Sequence, residues 1–316
     1  MRFRFAPSPT GNLHLGNVRT AILAWLHARS SGGQFILRIE DLDSGRVRPE
    51  FRLTQVEDLK WLGIDWDEGP GSGGPFGPYL QSLRQERYES ALARLRDLGR
   101  IYDCRCSRKE IAAASSAPHA DEYGPPYPGT CRDSPSQRAT PSALRFRVSP
   151  GPVCFEDQVY GRQCFDPAVE VGDFVVRRRD GAAAYQLAVV VDDAEMGITD
   201  VLRGADLLSS TARQILLYEA LGLAPPRWAH VPLLREEYGD RLSKRQGSLT
   251  VQELRFRGVP AERIVGWLAF TCGLQGDDRA TTIRDLLALF DLSKLPRQDT
   301  PVSLPAWLTS GTPAGS

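Results

Sequence analysis

Net charge is the first thing this sequence lacks: its 39 lysines and arginines are matched by 39 aspartates and glutamates across 316 residues. A chain so balanced sets up no global field toward nucleic acid or an anionic membrane, so any contact with a polyanion must come from a local patch. It also lacks a run of about 18 apolar residues, the length that spans a bilayer, and its start, MRFRFAPSPT, lacks the apolar segment of a signal peptide. These absences predict a soluble, cytoplasmic protein with no membrane partner. Six cysteines are too few for a disulfide scaffold in a chain of this length. Three of them, Cys104, Cys106 and Cys131, fall close together, which in a reducing compartment points to a metal before a disulfide. Cys154, Cys164 and Cys272 read as ordinary core or surface residues.

The order of elements predicts an α/β fold. FRF is a short strand, APSPTGNLHLG a Pro/Gly-punctuated loop, and NVRTAILAWLHARS a helix with Ile22, Trp25, Leu26 and Arg29 at helical spacing. QFILRIEDLD follows as a buried strand that turns acidic at its end, and such a strand–helix–strand unit predicts parallel pairing. Leu53, Val56, Leu59 and Leu62 predict an amphipathic helix, and GPGSGGPFGP a turn-rich connector. Tyr79 to Leu98 reads as a helix with Leu80, Leu83, Tyr88, Leu92 and Leu95 on one face. From about Ile101 to residue 180 the pattern changes to an inserted α+β module, with strands at LRFRV and FVV. AYQLAVVVDD predicts a return to a buried strand of the main sheet. STARQILLYEALG predicts a helix capped by Ser210 or Thr211 and closed by Gly222. Helical segments continue to about Leu295, and the last 18 residues, with Pro301, Pro305 and Pro313, read as a frayed tail.

Two loops carry candidate chemistry. His14-Leu15-Gly16-Asn17 stands directly before a helix, whose start offers free N–H groups and a positive dipole end to phosphate oxygens. Gly16 allows a nucleotide close to the backbone, and His14 can donate to developing charge. Far downstream, RLSKRQGS (Arg241 to Ser248) is a basic octamer that, taken alone, reads as a solvated turn before a phosphate contact. Arg177 to Arg179 reads as a solvated face or as a contact for RNA phosphates.

Taken together, PSPTGNLHLGN and RLSKR resemble the two signature motifs of class I aminoacyl-tRNA synthetases, written HIGH and KMSKS. RFAPSPTG, RIEDLD, GPYLQS, VVDDAEMGITDVLRG and TARQILLYEALG narrow the resemblance to the glutamyl branch, over roughly residues 2 to 260. Within that branch, RGADLLSSTARQ and the shortness of the chain resemble the members that transfer glutamate to the queuosine base of tRNA(Asp). Only 72 residues follow Lys244, which leaves no room for a further anticodon-reading domain of about 100 residues.

The resemblance implies a Rossmann-like parallel sheet. Its first half is residues 1–100 and its second 181–240, with a zinc-bearing α+β insertion at 101–180, the basic loop and a helical segment at 241–298, and a flexible tail at 299–316. It implies activation of L-glutamate by ATP without tRNA, then transfer to queuosine-containing tRNA(Asp), by a monomer. A shortened glutamyl-tRNA synthetase charging tRNA(Glu) is the alternative. His14 and Lys244 are the implied catalytic pair, and His14, Gly16, Asn17 and Lys244 the ATP contacts, with Mg2+ accompanying the triphosphate. Arg4, Phe5, Ala6, Pro7, Ser8, Glu40, Tyr185 and Arg203 are the implied glutamate contacts, the two arginines clasping carboxylate and Glu40 and Tyr185 holding ammonium. Read without the resemblance, Arg4 and Glu40 make a structural ion pair. Asn17 stands for the last histidine of HIGH, and Arg241 and Arg245 for the outer Lys and Ser of KMSKS; these read as tuning, since Asn still donates and Arg keeps the charge. For a structural zinc, spacing nominates His119 as fourth ligand beside Cys104, Cys106 and Cys131. The resemblance points instead to Tyr127, a phenol that becomes usable once a metal favours its ionised form.

Overall fold

In the computed structural model, which describes residues 1–107, 109–111, 126–133, 141–236 and 249–309, strand β1 (Arg2–Phe5) leads through the Pro/Gly loop into helix α1 (Leu15–Ser30). Strand β2 (Gln34–Leu37) returns parallel to β1, with Arg4 opposite Ile36 and Phe5 opposite Leu37. It is shorter than the ten-residue strand read from the sequence. Beyond Leu37 the chain stays extended beside the β1 loop, Arg38 N donating to Phe5 O and Glu40 N to Pro7 O.

Helix α2 (Pro49–Trp61) buries Leu59 but leaves Leu53 59% exposed, so its apolar stripe is narrower than the spacing suggested. The helix expected from residue 79 is split: a 3-10 turn (Gln81–Leu83) precedes α3 (Gln85–Asp97), and the break falls at Arg84, which is fully buried. Next come β3 (Ile101–Cys104), β4 (Ala143–Phe146), β5 (Val153–Asp157), β6 (Gly161–Phe165), α4 (Pro167–Glu170) and β7 (Val175–Arg177). They are followed by α5 (Tyr185–Glu195), β8 (Asp200–Gly204), α6 (Ser210–Leu221), β9 (Arg227–Val231) and β10 (Leu234–Glu236). After the basic octamer stand α7 (Val251–Phe256), α8 (Ala261–Thr271), β11 (Thr300–Val302) and α9 (Ala306–Thr309).

The main sheet has the order β2-β1-β8-β9-β5-β6, parallel from β2 to β5, with β6 antiparallel at its edge. Side chains alternate across it. Phe3, Phe35, Leu37, Leu202 and Ala229 pack with α1 and α8 on one face, while Ile36, Val201 and Trp228 pack with α3, α5 and α6 on the other. Among the described residues no helix is long and apolar enough to cross a membrane.

Five expectations are corrected. AYQLAVVVDD forms helix α5, not a strand: Leu187 to Val191 are all buried, so no polar face reveals the helical period, and burial against α3 and α6 overrides valine's strand preference. The stretch 101–180 is not one module. β3, β4 and β7 form a separate antiparallel sheet, whereas the β5–β6 hairpin extends the main sheet through Asp157 opposite Trp228. Cys154 and Cys164 face each other across that hairpin and are joined as a disulfide, because the turn at residues 158–160 brings both to the same side. Ser209 is the N-cap residue of α6, and Ser210 and Thr211 lie buried in its first turn, with hydroxyls that serve Arg213 and Arg203. Gly222 closes the helix as expected, at φ 63° where other residues are strained. Residues 299–309 are docked. β11 pairs parallel with β10, Asp299 accepts from Leu233 N at 2.8 Å, and Leu308 is fully buried.

Candidate active site

The chain runs from β1 outward to β2 in one direction and from β8 to β9 in the other, so a crevice opens between the carboxyl ends of β1 and β8. It holds a cavity of about 810 Å³. Arg4 to Ser8, His14, Gly16, Asn17, Glu40, Tyr185 and Arg203 all line it, so the residues nominated on the described chain for phosphate and amino-acid contacts come together. Lys244, with Arg241 and Arg245, lies outside the described residues. The chain on both sides of that octamer reaches the cavity: Leu234 and Thr250 line it, and Thr250 bridges to His14 while Val251 N donates to Leu13 O at 2.9 Å.

His14 is the N-cap of α1, and its Nδ1 accepts from Asn17 N at 3.3 Å. Burial lowers its pKa to about 4, so near neutral pH the ring is uncharged and its proton sits on Nε2, free to donate. A Cβ on residue 16 would stand 3.1 Å from His14 Cε1 and 3.2 Å from Nδ1, so glycine is what lets the ring fold over the helix start.

The end of the cavity nominated for the amino acid differs from the simple ion pair. Arg4 donates through Nε to Asp193 Oδ1 (3.4 Å), and Glu40 is held instead by Arg38 Nη2 at 3.1 Å. Arg38, fully buried, also donates to Asp193 Oδ1 at 2.6 Å. Burial raises the Glu40 pKa, against the pull of Arg38 and Arg4. Burial likewise raises that of Tyr185, whose ring lies near Arg203 and Glu40. Arg203 donates through Nε to His230 Nε2 (3.0 Å) and through Nη2 to Thr211 Oγ1 (2.8 Å) and Leu207 O (3.3 Å). Its Nη1 is buried without a hydrogen-bond partner among the described residues, a situation that costs about 1–3 kcal/mol unless another group satisfies it. Arg38, Asp193, His230 and Asp157 were missed in the sequence. The available signal was Arg38 inside QFILRIED and the paired acids ending VVVDD: charges inside apolar runs must be compensated when buried.

Cys104, Cys106 and Cys131 place their Sγ atoms within 4.8 Å of one another, Cys106 and Cys131 at 3.4 Å. Tyr127 Oη lies 3.4 Å from Cys104 Sγ and 3.8 Å from Cys106 Sγ, and accepts from Cys131 N at 2.8 Å. Burial pushes the Cys131 thiol up, but hydrogen bonds from Arg105 N–H and Tyr127 outweigh it and bring it down to about 7. These spacings suit four donors around one small ion. His119 lies outside the described residues. In the Arg177–Arg179 run, Arg178 pairs at the surface with Asp180 and Asp43, and Arg179, itself exposed, donates to the carbonyl oxygens of Arg105 and Cys106.

Residues 1–285 match the family described as tRNA synthetases class I (E and Q), catalytic domain, and the chain belongs to it. It is 53% identical over 312 residues to the glutamyl-Q tRNA(Asp) synthetase of Symbiobacterium thermophilum, with 96% of this chain and 95% of that one covered. It is 44% identical over 304 residues to glutamate–tRNA ligase 2 of Syntrophus aciditrophicus, covering 93% of this chain but 62% of the relative. Among solved structures, the glutamate–tRNA synthetase of Elizabethkingia anophelis superposes with a TM-score of 0.83 at 30% identity, over 96% of this chain and 68% of that one.

Proposed function

We propose that this protein activates L-glutamate with ATP, without tRNA, and then transfers glutamate to the queuosine base at the wobble position of tRNA(Asp). The observation that carries the reading is the cavity itself, lined both by a helix-start imidazole and by a buried guanidinium whose direct partners are all neutral. In the first step a glutamate carboxylate oxygen bonds the α-phosphorus and the bond to pyrophosphate breaks. In the second a queuosine hydroxyl attacks the mixed anhydride and AMP leaves. Little proton transfer is needed in the first step, so placement and cations dominate. Arg203 and Arg4 meet carboxylate, Glu40 and Tyr185 the ammonium, and Phe5 to Ser8 form the wall beside them. His14, Gly16 and Asn17 receive the triphosphate, and Lys244 meets its developing charge. Mg2+ on the triphosphate would add charge neutralisation there. Substituting Lys244→Ala should lower the activation rate on the order of 10²–10³-fold.

Zinc is the metal that three thiolates and one phenolate suit best, and Cys104, Cys106, Cys131 and Tyr127 are the proposed ligands. Burial and the hydrogen bond to Cys104 push the Tyr127 phenol up, so it is the metal that would favour its ionised form, with the Arg145 guanidinium 3.7 Å over the ring. This metal is structural, since its ligands stand on the β3 side and not among the residues lining the cavity.

The test is glutamate-dependent ATP–pyrophosphate exchange in the absence of RNA: exchange is expected, and silence would overturn tRNA-independent activation. The similarity to glutamate–tRNA ligases favours a second reading, charging of tRNA(Glu). Labelled glutamate supplied with tRNA(Asp) bearing or lacking queuosine, and with tRNA(Glu), separates the two.

A further inference from the structure

Behind Arg203 stands a buried chain of groups that the activation chemistry does not use. Asp157, on the β5 hairpin, accepts from the backbone N–H of Val159 (3.0 Å), Tyr160 (2.9 Å) and His230 (3.1 Å), and its Oδ2 lies 2.6 Å from His230 Nδ1. Both side chains are fully buried. Burial pushes the Asp157 carboxyl up, but the bonds from His230 and the backbone outweigh it and leave it below its ordinary value, so it is an acceptor and His230 Nδ1 carries the proton. Arg203 Nε can only donate, so the His230 Nε2 facing it must present a lone pair. The imidazole is therefore neutral and held in one tautomer, in keeping with a pKa that burial lowers to about 4. A second proton would set Nε2–H against a guanidinium N–H.

We propose that His230 and Asp157 are positioning residues for substrate recognition: the neutral imidazole fixes, through Nε, the Arg203 guanidinium at the edge of the cavity that Arg203 lines. The inference rests on the reading that Arg203 holds a substrate carboxylate. The ring is also a spacer. A carboxylate bonded directly to Arg203 would neutralise it, whereas here Asp157 orients the guanidinium through a neutral ring and every direct partner of Arg203 is uncharged. The charge remains available to an incoming anion. The β5–β6 hairpin thereby belongs to the amino-acid site, although none of its residues lines the cavity.

The experiment is RNA-free pyrophosphate exchange on the full chain, resolved into KM for glutamate, KM for ATP and kcat, with thermal melting of each variant. His230→Leu removes the acceptor and is expected to raise glutamate KM about 10- to 100-fold, the range for a hydrogen bond to a charged group, with ATP KM unchanged within about twofold. His230→Gln can accept from Arg203 and donate to Asp157 together, and should bring glutamate KM back to within about fivefold of the parent. A merely structural role would lower melting temperature in both variants and leave glutamate KM alone; that result overturns the proposal. So does His230→Gln behaving like His230→Leu. If His230→Leu does not fold, His230→Asn replaces it, since its shorter amide reaches Asp157 but not Arg203, and the same selective rise is expected. Arg203→Leu identifies which reading is at fault. An unchanged glutamate KM there refutes carboxylate binding by Arg203, whereas a raised KM with a normal His230→Leu refutes only the positioning role.

Discussion

Asp193 is the junction of the buried charges under the amino-acid end of the cavity, and replacing it with alanine tests whether those charges hold the fold together. Its Oδ1 meets Arg38 at 2.6 Å and Arg4 at 3.4 Å, and its side chain is 4% exposed. Burial pushes its carboxyl up, yet the arginines Arg38 and Arg4 outweigh that and hold it below its ordinary value, so it is ionised in the folded protein. Removing one partner of a buried ion pair strands the other charge and typically destabilises by about 3–5 kcal/mol. Arg38 keeps Glu40 at 3.1 Å and Asp192 at 3.8 Å, which places the expected loss at the lower end, about 3 kcal/mol. For a chain of this size a kcal/mol corresponds to roughly 2 °C, so the melting temperature should fall by about 6 °C. Arg279→Ala is the control: its pair with Asp277 spans 3.7 Å with both side chains more than 60% exposed, and such pairs contribute about 0–1 kcal/mol. Melting of the three proteins by circular dichroism at one pH and salt decides the matter. An Asp193→Ala protein that melts within about 1 °C of the parent refutes the assignment of Asp193 as the keystone of the network.

Gly16→Ala should lower activation at least tenfold while leaving stability within about 1 kcal/mol, because the new Cβ displaces the His14 ring and not the core; steady-state exchange kinetics check it. Chelation at neutral pH should release one zinc per chain, measured by a chromophoric indicator, and Cys131→Ser should abolish the uptake. Folded His14 and His230 both titrate near 4 against 6.5 for the free side chain, so between those values the unfolded chain binds more protons. Their contribution to stability should be flat above about pH 6.5 and fall as pH drops toward 4, and His230→Gln should reduce that slope by up to one proton in urea titrations at several pH values. Glutamine should support exchange at least 10²-fold less well than glutamate, because its amide leaves the Arg203 charge uncompensated; equal rates would remove Arg203 from substrate selection.

The placement of the residues nominated for the nucleotide was legible because its signal is local. His14, Gly16 and Asn17 stand within four residues, directly before a helix, and the spacing alone puts them on the first turn. The amino-acid pocket was legible as a set of residues but not as a set of contacts. Without the resemblance Arg4 and Glu40 read as partners, whereas Asp193, 189 positions beyond Arg4, takes the arginine, and Arg38, two before Glu40, takes the acid. Which of several nearby opposite charges pair is decided by how α5 packs under β1 and β2, and that helix was itself read as a strand, since a run buried on every side has no visible period. The same limit hid Asp157 and His230, 73 positions apart on strands that become neighbours only when the hairpin joins the sheet. In the tail, three prolines and small polar residues outweighed Leu308 in the reading, although one buried leucine and a short parallel pairing anchor the segment.

The placement of buried charge separates two tasks within one pocket. Arg38 and Asp193 face each other in a closed network in which every cation touches an acid, and such a network fixes geometry. Arg203 breaks that pattern. It is as buried as the others, yet its partners are an imidazole lone pair, a hydroxyl and a carbonyl, and burial lowers its pKa where that of Arg38 is raised. A buried cation held this way has more to gain from a neighbouring anion than one already paired with an acid. The two arrangements therefore differ in kind: the closed network holds Glu40 in place, whereas Arg203 is fixed by neutral partners and keeps its charge uncompensated.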